Sequence, residues 1–288
     1  MLARRHPLLL RSTVAVIAAA LAVGCDKNAE VPLAPAVLAS AVVAPPPPAG
    51  PKVLRLVVDP TSKTTIDMPA PKEHIKADTT AAAGELTIDP SDLRKTRGLV
   101  KIDLTSLKTH TFDDDKKNAA QTEHAQNWFE AGELVTPEVK ETNRWAIFTI
   151  QAVDGLTETD LSKVPAAAAG AGDVKSIAAT VKGDFVLHGR QVHKDVPVEV
   201  TFRYPSGQAA TAVPTRVEVH TKTPLHVVLA EHDVKPRDNL GKLAQASFSI
   251  LGTKVAETAD LTLDLAATVA SAPPAADPAP APTPSASH

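Results

Sequence analysis

The sequence predicts an all-β domain, either a sandwich or an up-and-down barrel, set between two tracts of a different kind. Three observations predict it. Eight segments between residues 52 and 268 alternate apolar and polar side chains with a period of two, the pattern of antiparallel sheet with one buried and one wet face. Turn formers such as Gly, Pro and Asp stand between these segments, as hairpin connections require. A single stretch, Asn118–Glu130, has a helix-forming composition.

The chain has 288 residues, and residues 1–24 read as an export signal. Arg4, Arg5 and Arg11 make a basic start, and Val14–Val23 is an unbroken apolar run. A run of about ten residues is too short for a membrane-spanning helix, which needs about twenty. It leads into Leu21-Ala22-Val23-Gly24-Cys25, which resembles the lipobox of bacterial lipoproteins, with Cys25 as the acylated residue. The expectation is an exported protein, lipid-anchored through Cys25 to a bacterial membrane and facing the periplasm or cell envelope. Cys25 is the one cysteine of the chain, so an internal disulfide framework and a cysteine-based zinc site are excluded.

Residues 25–51 are rich in Ala, Val and Pro and include Pro45-Pro46-Pro47-Pro48, which favours extended polyproline II and reads as a semi-rigid spacer. The folded domain is expected over 52–268. Leu54, Leu56 and Val58 alternate with Arg55 and Asp59. Leu86 and Ile88 flank Thr87, and Val100, Ile102 and Leu104 alternate with Lys101 and Asp103. Asp113-Asp114-Asp115 reads as a solvated turn before the helix at Asn118–Glu130, whose expected anchors are Ala119, Trp128 and Phe129. Phe148 and Ile150 flank Thr149. Lys163–Gly172 reads as a flexible loop. Val196, Val198, Val200 and Phe202 alternate with Glu199 and Thr201, and Val217 and Val219 flank Glu218. Phe248 and Ile250 alternate with serines, and Leu261, Leu263 and Leu265 with Thr262 and Asp264. Residues 269–288 form an Ala/Pro/Ser tail with nothing large to bury, expected to be disordered.

Three of these segments, in this order and spacing, are similar to one family. Gly84–Ser106 (GELTIDPSDLRKTRGLVKIDLTS), the Trp128-Phe129 pair that ends the helix, and Gly183–Phe202 (GDFVLHGRQVHKDVPVEVTF) resemble the YceI-like family of secreted, lipocalin-like, polyisoprenoid-binding proteins. Ala230–Gly241 resembles a loop of some members. Asp59 and Ser62 fall at the family's opening motif, with Thr61 in place of its His, and Lys163–Gly172 resembles an insertion. The resemblance implies an eight-stranded antiparallel lipocalin-like barrel with an apolar interior. It also implies the binding of an isoprenoid or similar long-chain lipid, as carrier, sequestering protein or sensor.

The residues themselves leave two interiors open, a lined cavity or a filled core, since periodicity is the same for both. If a cavity is present, its expected wall is Phe148, Ile150, Phe185, Leu187, Val198, Val200, Phe202, Val217, Val219, Phe248 and Ile250. Such a lining suits an alkyl or prenyl chain, each buried CH2 contributing about 0.8 kcal/mol. A filled barrel would instead act as a structural or protein-binding module through its outer face. Formal net charge is −3 and aromatic content 3%, which gives no argument for a nucleic-acid partner. A homodimer is compatible with the sequence.

His188 and His193 flank a turn, and His220, His226 and His232 recur every six residues. Local spacing places no third ligand beside the first pair, and Pro224 interrupts the second set, so exposed turn or strand-end histidines are expected and no metal. Glu85, Asp92 and Asp103 offer carboxylates without a pairing the sequence supports. Gly-x-Ser-x-Gly, His-Glu-x-x-His, phosphate-loop and dinucleotide fingerprints are absent. The expected class is a non-catalytic binding protein without a cofactor.

Overall fold

The computed structural model describes residues 37–39, 53–69, 74–235 and 256–270. Within them, alternating side chains form the strands β1 (Val37–Leu38), β2 (Leu54–Val58), β3 (Lys63–Pro69), β4 (His74–Thr79), β5 (Ala82–Ile88), β6 (Arg97–Asp103) and β7 (Lys108–Thr109). Helices α1 (Asp115–Trp128) and α2 (Pro137–Asn143) follow. The chain then returns to sheet as β8 (Trp145–Asp154), β9 (Ala167–Ala169), β10 (Gly172–Leu187), β11 (Arg190–Pro205), β12 (Arg216–Thr221), β13 (Leu225–Val228) and β14 (Thr258–Val269). Every pairing among them is antiparallel.

Eight strands close a ring in the order β11-β10-β8-β6-β5-β2-β14-β12 and back to β11. The ring is not a clean cylinder, because β14 changes neighbours along its length. Its later residues, from Asp264 on, pair with β12 and β2, whereas its earlier ones pair with β13 and β3. β3 carries β4 and β7 with it, so the sheet splays at that end. Ser62 fixes the point of divergence: its Oγ donates to Asp59 O at 2.7 Å and accepts from Ala266 N at 3.0 Å.

The period of two sets the core. In β2, Leu54, Leu56 and Val58 are buried and Arg55 and Val57 exposed. The same parity buries Leu86 and Ile88, Val196, Val198 and Phe202, and Val217 and Leu265. Two apolar clusters result. One lies within the ring around Leu56, Ile177, Phe202 and Val217. The other lies under α1 and the splayed strands, around Ile66, Leu107, Phe129 and Val227.

β10 and β11 make a hairpin of sixteen residues a side. Its turn is the two-residue step His188-Gly189, with φ of +50° and +69°, the left-handed pair whose twist matches that of the flanking strands. Against β8, β10 skips a partner between Lys182 and Gly183, so Gln151 is the extra residue of a bulge. Gly183 lies opposite it because a Cβ there would stand 2.2 Å from Thr149 O and 2.7 Å from the Phe148 ring. Bulges of this kind bend a strand and help a sheet to close.

Several elements differ from the sequence expectation. α1 is capped as expected, Asp114 accepting from Lys116 N and Lys117 N, but Ala119 is exposed. The anchoring face runs through Asn118, Thr122, Ala125 and Phe129, at helical spacing, with Trp128 half-buried beside it. Polar bonds hold this face: Thr122 Oγ1 accepts from Thr109 N, and Gln126 Nε2 donates to the carbonyls of Thr105 and Leu107. Lys163–Gly172 is a structured extension, since Ala167–Ala169 pairs with the start of β10 through a turn at Gly170. Its alanines satisfy backbone hydrogen bonds without an apolar period. Val37–Leu38, within the stretch read as spacer, pairs with Gln191 and Arg190. Cys25, Pro45–Pro48, Phe248, Ile250 and residues 271–288 lie outside the described residues.

Candidate functional site

The ring encloses a cavity of about 170 Å³. Phe148, Ile150, Phe185, Val198, Val200, Phe202, Val217 and Val219 stand on its wall. Leu187 does not. It has the parity of Phe185 but is the last residue of β10, and it is buried in the second cluster beneath the turn at Leu229–His232. The wall also includes Leu86, Ile88, Ile177, Ala179 and Val153, which the sequence reading left out of the site. Val153 was hidden by the bulge, which moves the inward position from 152 to 153. Ala179 was hidden by its size. Among the described residues the wall bears no charged side chain, and its polar members are three threonines, Thr64, Thr96 and Thr221.

Two of those threonines serve the backbone. Thr96 Oγ1 donates to Leu93 O at 2.8 Å, and Thr221 Oγ1 accepts from Leu263 N at 3.0 Å. The cavity is therefore dry in character, a medium for hydrocarbon rather than for ions.

Each end of the barrel is closed by a buried titratable group bound to carbonyls. At one end Lys175 points inward with the parity of Ile177, and its Nζ donates to Leu161 O at 3.0 Å. Tyr204 is buried beside it, and burial pushes its hydroxyl up to about 12. At the other end His232 is completely buried, edge-on to Phe185 with ring centroids 5.4 Å apart. Its Nδ1 donates to Arg190 O at 3.0 Å and lies 3.3 Å from Leu187 O.

The His232 end also concentrates backbone strain. Among the described residues the non-glycine residues with positive φ are Glu130, His188 and Asp233, and they meet here. His188 Nε2 is 2.8 Å from Glu130 Oε2, and His188 Nδ1 donates to His232 O at 3.2 Å. Left-handed backbone costs about 1–3 kcal/mol per residue and persists where surrounding contacts over-determine it. Here those contacts tie the end of α1, the β10–β11 turn and the Leu229–His232 turn together.

His188 and His232 thus correct the expectation of exposed histidines. A ring at either position covers apolar surface and reaches a carbonyl, which a surface site would not offer. His193, His220 and His226 are exposed, beside Asp184, Asp264 and Asp260. Among the described residues no three His, Cys, Asp or Glu side chains converge as a metal set. Asp103 receives two hydrogen bonds from Arg144, at 2.6 and 2.9 Å, and one from Thr105 Oγ1. Burial alone would raise its carboxyl, but these bonds together hold it below the usual carboxylate range. Asp92 is bound to Arg94 and Glu85 is exposed, so the three carboxylates do not share a site.

The model of the YceI-like domain family matches residues 57–267. A search of curated proteins finds no match. Among solved structures, the chain is similar to a polyisoprenoid binding domain from Saccharophagus degradans implicated in plant cell wall breakdown, at 16% identity and a TM-score of 0.43, covering 75% of this chain and 99% of that one. It is also similar to BcnA of Burkholderia cenocepacia, at 16% identity and a TM-score of 0.44, covering 73% and 99%. A YceI protein of Campylobacter jejuni aligns at 12% identity and a TM-score of 0.36, covering 68% and 85%.

Burial, opposed by the two carbonyls, holds the His232 imidazole below its ordinary value of 6.5. The unfolded chain therefore takes up a proton that the folded chain resists, and stability falls as pH drops below about 6.5. The limit for one such group is about 1.4 kcal/mol per pH unit. Urea denaturation between pH 7.5 and 5 is expected to show this slope in the parent and a flatter one in His232→Gln. Equal slopes would show that His232 does not carry the dependence.

Proposed function

The chain belongs to the YceI-like domain family, and on that footing we propose that it is a non-catalytic binding protein for a polyisoprenoid or similar long-chain lipid, held at a bacterial envelope membrane by lipid on Cys25. The observation that carries the reading is the uncharged cavity inside the ring. Its wall on β10 runs from Ile177 to Phe185, about 26 Å of strand at roughly 3.3 Å per residue. That is the dimension of a chain rather than of a compact metabolite.

The cavity volume adds a physical condition. A dry engineered cavity of about 150 Å³ holds one benzene, so about 170 Å³ is little more than the volume one small ring needs. A longer chain spreads the walls. The gain is about 0.8 kcal/mol per CH2 buried, set against the repacking of Val, Ile and Leu side chains. The binding proposed is therefore coupled to loosening of the core, and tight packing in the unloaded protein is compatible with it.

The tether rests on the ordered sequence features that end at Cys25. Anchoring a lipid-binding barrel beside a bilayer places it where an insoluble chain can be exchanged.

Two outcomes are expected. Val200→Phe fills the cavity with apolar volume. It is expected to cost under about 1 kcal/mol of stability, below the roughly 1–3 kcal/mol that overpacking a filled core costs, while abolishing the lipid found by mass spectrometry of extracts from the gently purified parent. A parent without lipid, together with a large stability loss in Val200→Phe, would favour the filled barrel. Independently, Cys25→Ser is expected to move the protein from the membrane fraction to the soluble fraction. Unchanged fractionation would count against the anchor.

A further inference from the structure

One row of inward positions crosses the barrel through Ala179, Val198, Thr221, Leu263, Thr64 and Thr79. Ala179 pairs with Val198 and Val198 with Thr221. The Thr221 hydroxyl receives Leu263 N, Leu263 pairs with Thr64, and Thr64 with Thr79. Directly paired residues of antiparallel strands present their side chains on the same face, so Thr79 on β4 continues the buried face that Thr64 presents to the cavity. Thr64 is 3% exposed and stands on the cavity wall; Thr79, its neighbour, is 1% exposed. Among the described residues neither hydroxyl has a hydrogen-bond partner.

Buried hydroxyls are nearly always bonded, because leaving one unmade forfeits its hydration without return. Valine has the same shape and would complete the apolar wall at no such cost. An unbonded hydroxyl on a wall otherwise given to hydrocarbon, with a second buried beside it on β4, points to an oxygen brought by the occupant. The lining has no cation to neutralise a phosphate or carboxylate at this depth, and an unpaired buried charge is too costly to retain.

We propose, on the lipid-binding reading above, that Thr64 and Thr79 form a hydrogen-bonding point that selects chains bearing one small uncharged oxygen, an alcohol, ether or carbonyl, over plain hydrocarbons. The rest of the chain lies along Val198, Val200 and Phe202 toward the ring's apolar cluster.

The test compares farnesol with farnesene, which has a related fifteen-carbon skeleton without the hydroxyl, by titration into the purified full chain. The parent is expected to bind farnesol about tenfold more tightly, which corresponds to about 1.4 kcal/mol. Thr64→Val with Thr79→Val should erase the preference while keeping farnesene affinity, and thermal stability should hold or rise because unbonded hydroxyls are removed. Thr149→Val, at a buried and equally unbonded hydroxyl on β8, outside this row, should leave the preference intact. Equal affinity for both probes in the parent, or a preference that survives the double substitution, overturns this inference but leaves lipid binding standing. Failure of both probes to bind overturns the lipid-binding reading and this inference together.

Discussion

β12 is the strand on which the architecture depends. All six of its residues pair with β11 on one side and five of them with β14 on the other, and these ladders close the ring. Without them β11 and β14 would each present an open edge, and the inner face would be one side of a curved sheet exposed to water. With them, Val217 and Val219 face the interior and the inward parity of every other ring strand acquires a common centre. The outer face reinforces closure. Arg216 lies within 3.2 Å of Glu218 and 3.4 Å of Asp59, and Arg203 reaches Glu218 at 2.7 Å. These ion pairs link β11, β12 and the turn after β2, each contributing modestly because each is partly exposed.

Closure separates the molecule's polar chemistry from its apolar chemistry. Lys175 and His232, buried at the two ends, are bound to main-chain carbonyls. Asp103 and Arg144 join β6 to the segment that follows α2. The channel between the ends keeps valine, leucine, isoleucine and phenylalanine, interrupted by the threonine row where β14 passes from β2 to β3. Ile102, Phe148 and Leu225 pack against both apolar clusters. Partition and hydrogen bonding are the interactions this interior offers a guest.

Much of the barrel was legible from alternation alone, because β2, β5, β6, β8, β11, β12 and β14 each bury one parity of large apolar side chains. Where inward positions are small or polar the period fades. β3 and β4 bury Thr64, Ile66 and Met68, and Ile75, Ala77 and Thr79; threonine inside reads as a wet face, so these strands were missed. In β10 the lysines and alanines around Ile177 obscured a run that lines the cavity. Parity also fails at a bulge, which concealed Val153. It says nothing of where a strand leaves the barrel, which is why Leu187 was assigned to the cavity. The buried histidines depend on contacts between residues 58 and 45 positions apart, and no local pattern carries those.

The central claim is that a lipid chain lies inside the ring. Methyl-labelled valine, leucine and isoleucine in the purified domain, mixed with farnesol, test it most directly through intermolecular nuclear Overhauser effects. The account predicts contacts from the prenyl methyls to Ile150, Val198, Val200 and Val217. Contacts confined to exposed methyls such as those of Val57 and Val213, with the interior methyls silent, would contradict it.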